Sequence, residues 1–195
     1  MYIEPENKAS YSPWGAPDTV YVIADGILDV STPSHGGILL SYERNQQIPE
    51  SCRSIDGAYE EGCRWAIPFV IFKDEFCARY RDRQDYYEET HKQAIQTLIN
   101  YEPDAYATIF GTMPTAEESH KVRDREFTER NKNNFIVYSA FGAGYKDVHG
   151  GFVGVRAVKP ATGEERYFFV PESRYSIPYV VDLDKDQPWD FKKPY

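Results

Sequence analysis

Two histidines stand immediately before paired glycines, in Ser34-His35-Gly36-Gly37 and in His149-Gly150-Gly151. Histidine titrates near neutral pH, and paired glycines let backbone amides approach an anion closely. The pairing reads as an acid–base group, His35 or His149, beside ligand-binding loops made by Ser34, Gly36, Gly37, Gly150 and Gly151. If both loops meet at one end of a shared sheet, the imidazoles converge. A carboxylate such as Glu60, Glu61 or Asp147 then completes an acid–base pair or a two-histidine, one-carboxylate metal site. The competing reading of each loop is a glycine-rich hairpin whose histidine bonds its own backbone, and neither a metal nor a cofactor is expected.

A second constellation is Glu60-Glu61-Gly62-Cys63-Arg64-Trp65, just ahead of an apolar run. A low-pKa Cys63 at a helix start is a nucleophile, with His35 as its base and Glu61 as a further acid–base group. Alternatively the carboxylates favour the positive end of the helix while Cys63 and Trp65 pack in the core. His120, Arg123, Asp124 and Arg125 share a strongly polar helix, which presents either a partner-binding face or a solvated set of ion pairs. His91 precedes an amphipathic helix and reads as a surface residue. No P-loop, GxSxG, HExxH or CxxC is present.

The chain that must position these groups has 195 residues and a formal net charge of -9. That length suits one domain, taken as residues 1–195, and the apolar and aromatic content suffices for a core, which excludes global disorder. Three cysteines, Cys52, Cys63 and Cys77, fit neither a disulfide framework nor a zinc ribbon. The acidic start and the lack of a long apolar run predict a soluble, cytoplasmic protein without a membrane partner. Residues 1–58 carry 3 basic and 8 acidic groups, residues 59–132 carry 11 and 15, and residues 133–195 carry 8 and 8. With no basic stripe, direct nucleic-acid binding is not expected, whereas a protein with a basic groove is a plausible partner.

TVYVIA (19–24), Asp25-Gly26 and ILDVST (27–32) predict a hairpin, and ILLS predicts a third strand over 38–41. Trp14, between two prolines, predicts an ordered arm. Helices are predicted from near Pro68 to Tyr80, over 88–101 with a short successor to Phe110, and from the Thr115/Glu118 capping box to about Asn131. Strands return at 134–141, 152–158 and 166–170, followed by an extended tail over 175–195. The order of strands, about three helices, then strands predicts an α+β fold on an antiparallel sheet.

SPWGAPDTVYVIADGILDVSTPSHGG, YEEGCRWAIPF, NNFIVYSAFG and RYFFVPESRY together resemble an uncharacterised domain family of bacteriophages and other mobile genetic elements, over about residues 12–178. The family has no established reaction, so the resemblance assigns no catalytic role. Its setting implies a protein that counters a bacterial defence system inside the host cell. A structural or accessory phage component without catalysis is one reading, and two more specific functions stay open beside it. One is an inhibitor that binds a host defence protein through an acidic, tyrosine-rich surface, alone or as a homo-oligomer. The other is a hydrolase or transferase acting on a nucleotide-like small molecule, with His35 as acid or base.

Overall fold

The computed structural model describes residues 2–145 and 147–191. It forms two compact units, Met1–Arg123 and Asp124–Tyr195. Among the described residues there are six α-helices and two antiparallel four-stranded sheets, with the helices between the strand blocks, which is the α+β fold. None of these helices is long and apolar enough to cross a membrane.

In the first unit the sheet runs β1 (Thr19–Ala24), β2 (Ile27–Ser31), β3 (Gly36–Leu40) and β4 (Ala58–Glu60), in that order. The Asp25-Gly26 turn joins β1 to β2, with Gly26 at φ 72°, a region an L side chain rarely adopts. Alternation along β2 sends Leu28 and Val30 to one face and Ile27 and Asp29 to the other. Leu28, Val30 and Leu39 pack under the N-terminal arm, where Tyr2, Ile3 and Trp14 cover them. Ile27, Ile38, Leu40 and Tyr59 join the larger core beneath the helices. Each fully buried aliphatic or aromatic side chain contributes about 1.5–3 kcal/mol there.

That helical layer follows from local signals. Ser41 caps α1 (Tyr42–Gln47) by accepting from the Arg44 amide. The run predicted to start near Pro68 starts at α2 (Ala66–Ile71), which places Pro68 in the first turn, where its missing N–H costs little. Phe72, at φ -99° and ψ 37°, breaks the run before α3 (Lys73–Arg79). Long α4 (Gln84–Tyr101) buries Ala94 and Leu98, and α5 (Pro103–Phe110) ends at left-handed Gly111. The Thr115/Glu118 box does form, with the Thr115 amide donating to Glu118 Oε2 at 2.9 Å, but on a turn. Helix α6 (His120–Arg130) begins after Ser119, whose Oγ accepts from the Val122 amide at 3.4 Å.

In the second unit β5 (Ile136–Phe141), β6 (Phe152–Lys159), β7 (Glu164–Pro171) and β8 (Gln187–Pro188) follow in order. Phe135, Val155, Ala157, Phe168 and Val170 form its core together with Tyr179 and Val181 of the tail. The tail therefore wraps this unit: Val180 bridges Ile136 on β5, and β8 pairs with β7. Trp189 lies over Gly154 so closely that a Cβ there would fall 2.5 Å from its ring. Residues 192–195 of the predicted tail lie outside the described residues.

Candidate functional site: a cleft over Asp29

On the helix-facing side of the first sheet lies a cleft of about 300 Å³. Its floor is Asp29 and Ser31 of β2 with Gly36 and Ile38 of β3. Trp65 and Phe69, at the start and middle of α2, form one wall. Phe76 of α3, Tyr80 just after it, and Tyr86 and Thr90 of α4 form another, and Glu61 is also at the lining. The aromatic walls are an ordered stack: Trp65 meets Phe69 edge-on at 5.5 Å, Phe69 lies 4.4 Å from Phe76, and Tyr80 meets Tyr86 edge-on at 5.1 Å.

Asp29 is the unusual group. It sits in mid-strand opposite Tyr21 and Ile38, and burial pushes its carboxyl up to about 6. Among the described residues its carboxylate has neither a hydrogen-bond nor an ion-pair partner. The Tyr80 hydroxyl is pushed up as well, first by burial and then by the charge of Asp29, with Arg79 and Arg83 opposing. Those arginines lie against the tyrosine rings, Arg83 at 4.4 Å from the Tyr86 centroid and Arg79 at 6.0 Å from that of Tyr80.

The paired glycines of the first loop have a packing role. Gly36 and Gly37 are strand residues rather than turn residues, and both are buried. A Cβ on Gly37 would fall 2.2 Å from Tyr59 O and 2.7 Å from the Trp14 ring. One on Gly36 would fall 3.1 Å from Glu61 Oε2, so the missing side chain leaves room for that carboxylate. The Glu61 amide donates to Gly36 O at 3.0 Å and holds the segment in place.

Ser34 and His35 are exposed, and the imidazole Nδ1 of His35 lies against Ser34 O. Thr32 clamps that turn, its Oγ1 donating to His35 O at 2.9 Å and accepting from the His35 amide at 3.2 Å. His35 is not part of the cleft lining. Cys63 is half-buried, and burial and then Glu102 and Glu60 push its thiol up, which keeps the proton on the sulfur.

His149 belongs to the second unit, exposed, with its ring 6.3 Å from Phe169. Gly150 and Gly151 have open space where a Cβ would stand. On α6, His120, Arg123, Asp124 and Arg125 are exposed, and Arg123 Nη2 lies 2.6 Å from His120 Nδ1. His91 is half-buried and stacks on Tyr87 at 5.8 Å. Among the described residues no group of three or more His, Cys, Asp or Glu side chains is arranged to hold a metal ion.

The structure thus brings Gly36, Gly37 and Glu61 of the sequence-derived candidates to one cleft and adds Asp29, Tyr80 and Tyr86. In ILDVS the acid shares a strand face with Ile27 and Ser31, and nothing in the strand itself says what packs over it. Tyr80 and Tyr86 carried no local signal, because only the fold carries α3 and α4 to β2.

Residues 7–132 match a family described as a domain of unknown function, DUF7007. The chain belongs to this family. Every residue lining the cleft falls inside the stretch that defines DUF7007, whereas β5 to β8 fall outside it. No curated protein and no solved structure matches the chain.

Proposed function

We propose that this DUF7007 protein binds a small molecule in the Asp29 cleft and acts on it by proton transfer, as a hydrolase or transferase. The observation that carries the reading is a carboxyl on the cleft floor that no side chain pairs with, pushed up to about 6 by burial. Such a group has both protonation states within reach near neutral pH, as an acid–base catalyst requires. Glu61, exposed at the lining, supplies a second carboxylate in a different environment, and Tyr80 a hydroxyl that keeps its proton. The lining contains two carboxylates and no basic side chain, which favours a neutral or cationic ligand over a phosphorylated one. The biological setting is part of the same proposal: a bacteriophage or mobile-element protein that counters a defence system in the bacterial cytoplasm, as the sequence resemblance implies.

To test it, the protein and its Asp29→Asn variant are incubated with a bacterial small-molecule extract, and retained or depleted compounds are read by mass spectrometry. A compound bound or consumed by the wild type and spared by the variant is the expected result. Identical profiles for the two proteins would refute the reading.

A second reading, inhibition of a host defence protein by direct binding, is favoured by the exposed tyrosines of the first unit. Tyr11 is 61% exposed, Tyr21 55%, Tyr42 58% and Tyr101 50%, and such rings give large contact area at low entropy cost. It predicts a stoichiometric protein partner in a host lysate whose capture survives Asp29→Asn and is lost when Tyr21 and Tyr42 become serine.

A further inference from the structure

Resting on the proposal that the cleft holds a small molecule, we infer that its ligand is an organic cation, an alkylated ammonium compound, seated between the aromatic walls with its charge over Asp29. Charge, surface chemistry and size each support this. Among the lining residues the ionisable groups are Asp29, Glu61, Tyr80 and Tyr86, so the cavity offers negative charge and no positive side chain. Arg79 and Arg83 lie against the rings of Tyr80 and Tyr86, and neither pairs with Asp29. A half-buried carboxylate without a protein partner is unfavourable on its own, and a bound cation relieves that penalty most directly.

The walls add the second requirement. Trp65, Phe69, Phe76, Tyr80 and Tyr86 line the same cleft as the acid, and the negative faces of such rings attract cations that shed their water easily. Tyr86 already carries a guanidinium at 4.4 Å, so the electrostatic preference of this wall is realised within the protein itself. An alkylated ammonium has a greasy, weakly hydrated surface that suits this lining, whereas a compact primary ammonium keeps its water. The volume, about 300 Å³, is at the small end of ligand sites and suits a head group rather than a large metabolite.

The test compares choline with its neutral isostere 3,3-dimethylbutan-1-ol, by calorimetry and by tryptophan fluorescence of the full chain. Choline should bind at least about tenfold tighter than the alcohol, and Asp29→Asn should erase that preference while leaving the weak binding of the alcohol unchanged. Affinity for choline should rise from about pH 5 to about pH 8 as Asp29 loses its proton. Phe69→Leu, which removes the ring but leaves an aliphatic side chain, should weaken choline more than the alcohol. Equal affinity for the two probes would overturn the cation assignment and leave the small-molecule reading standing. Binding of neither probe would overturn the assignment too, and that reading then falls only if the extract experiment also finds no Asp29-dependent compound.

Discussion

Asp29, half-buried on a strand of the first unit, and Asp186, buried in the second, are both acids held by an antiparallel-sheet unit, and their surroundings differ. The Asp186 side chain has no exposed surface, yet Arg174 Nη1 donates to it at 3.1 Å, the Tyr179 hydroxyl at 3.0 Å and the Asp182 amide at 2.8 Å. Arg174 also donates to the Tyr179 hydroxyl at 3.1 Å, which closes the network around the tail. Asp29 has none of this. A buried acid whose oxygens are all engaged holds a structure together; one left half-buried and unpartnered in a cleft lowers stability and stands free to meet a ligand.

The largest effect that separates the two is expected at Asp186. Asp186→Ala leaves the Tyr179 hydroxyl and the Asp182 amide without their acceptor and Arg174 with Asp182 as its remaining carboxylate, at 3.5 Å, and should destabilise the second unit by about 2–4 kcal/mol in urea denaturation. A change under about 1 kcal/mol would show the network to be incidental.

Asp29→Asn should act with the opposite sign. Because burial raises this carboxyl from 3.8 to about 6, its cost to the folded state is absent below 3.8, grows between the two values and is full above about 6. The variant should therefore gain up to about 3 kcal/mol at neutral pH, a gain that disappears on acidification toward pH 3.8. Loss of stability at neutral pH would break the contrast.

Gly37→Ala tests whether the paired glycines serve the sheet. With Tyr59 O only 2.2 Å from the new Cβ, the variant should lose about 1–3 kcal/mol, measured by thermal unfolding. A variant of wild-type stability would return the glycines to the ligand. The smallest effect concerns Tyr80. Removing the Asp29 charge should lower the pKa of its hydroxyl, seen in ultraviolet titration of Asp29→Asn, while burial, the larger cause, keeps it above the ordinary tyrosine value.

Much of this architecture was readable from residue order. The β1–β2 hairpin followed from Asp25-Gly26 between β-branched runs, and α5 followed from Pro103 and Gly111 at its ends. Strand β4 was not readable, since Ala58–Glu60 is three residues long and exists only because β3 offers it a ladder. Helix α1 is too polar for a periodic signal, and Ser41, its cap, reads in sequence as the end of the third strand. At the site, the sequence singled out Gly36, Gly37 and Glu61 through their own chemistry. Asp29 was missed because a carboxylate in a strand gains meaning only from what packs over it. Here that is Trp65, 36 positions later, and Tyr86, 57 positions later.

The tail of the second unit bears on how that unit is made. Residue 180 lines one edge of the sheet and residues 187–188 the other, so both outer strands stay open while β5, β6 and β7 are already folded. During synthesis those edges wait for residues 179–189 to emerge, and a ribosome stalled before that point presents two unpaired strands to any neighbouring chain. Solubility of the second unit is therefore decided by its last elements, and a supplied peptide spanning 175–191 should rescue a chain that lacks them.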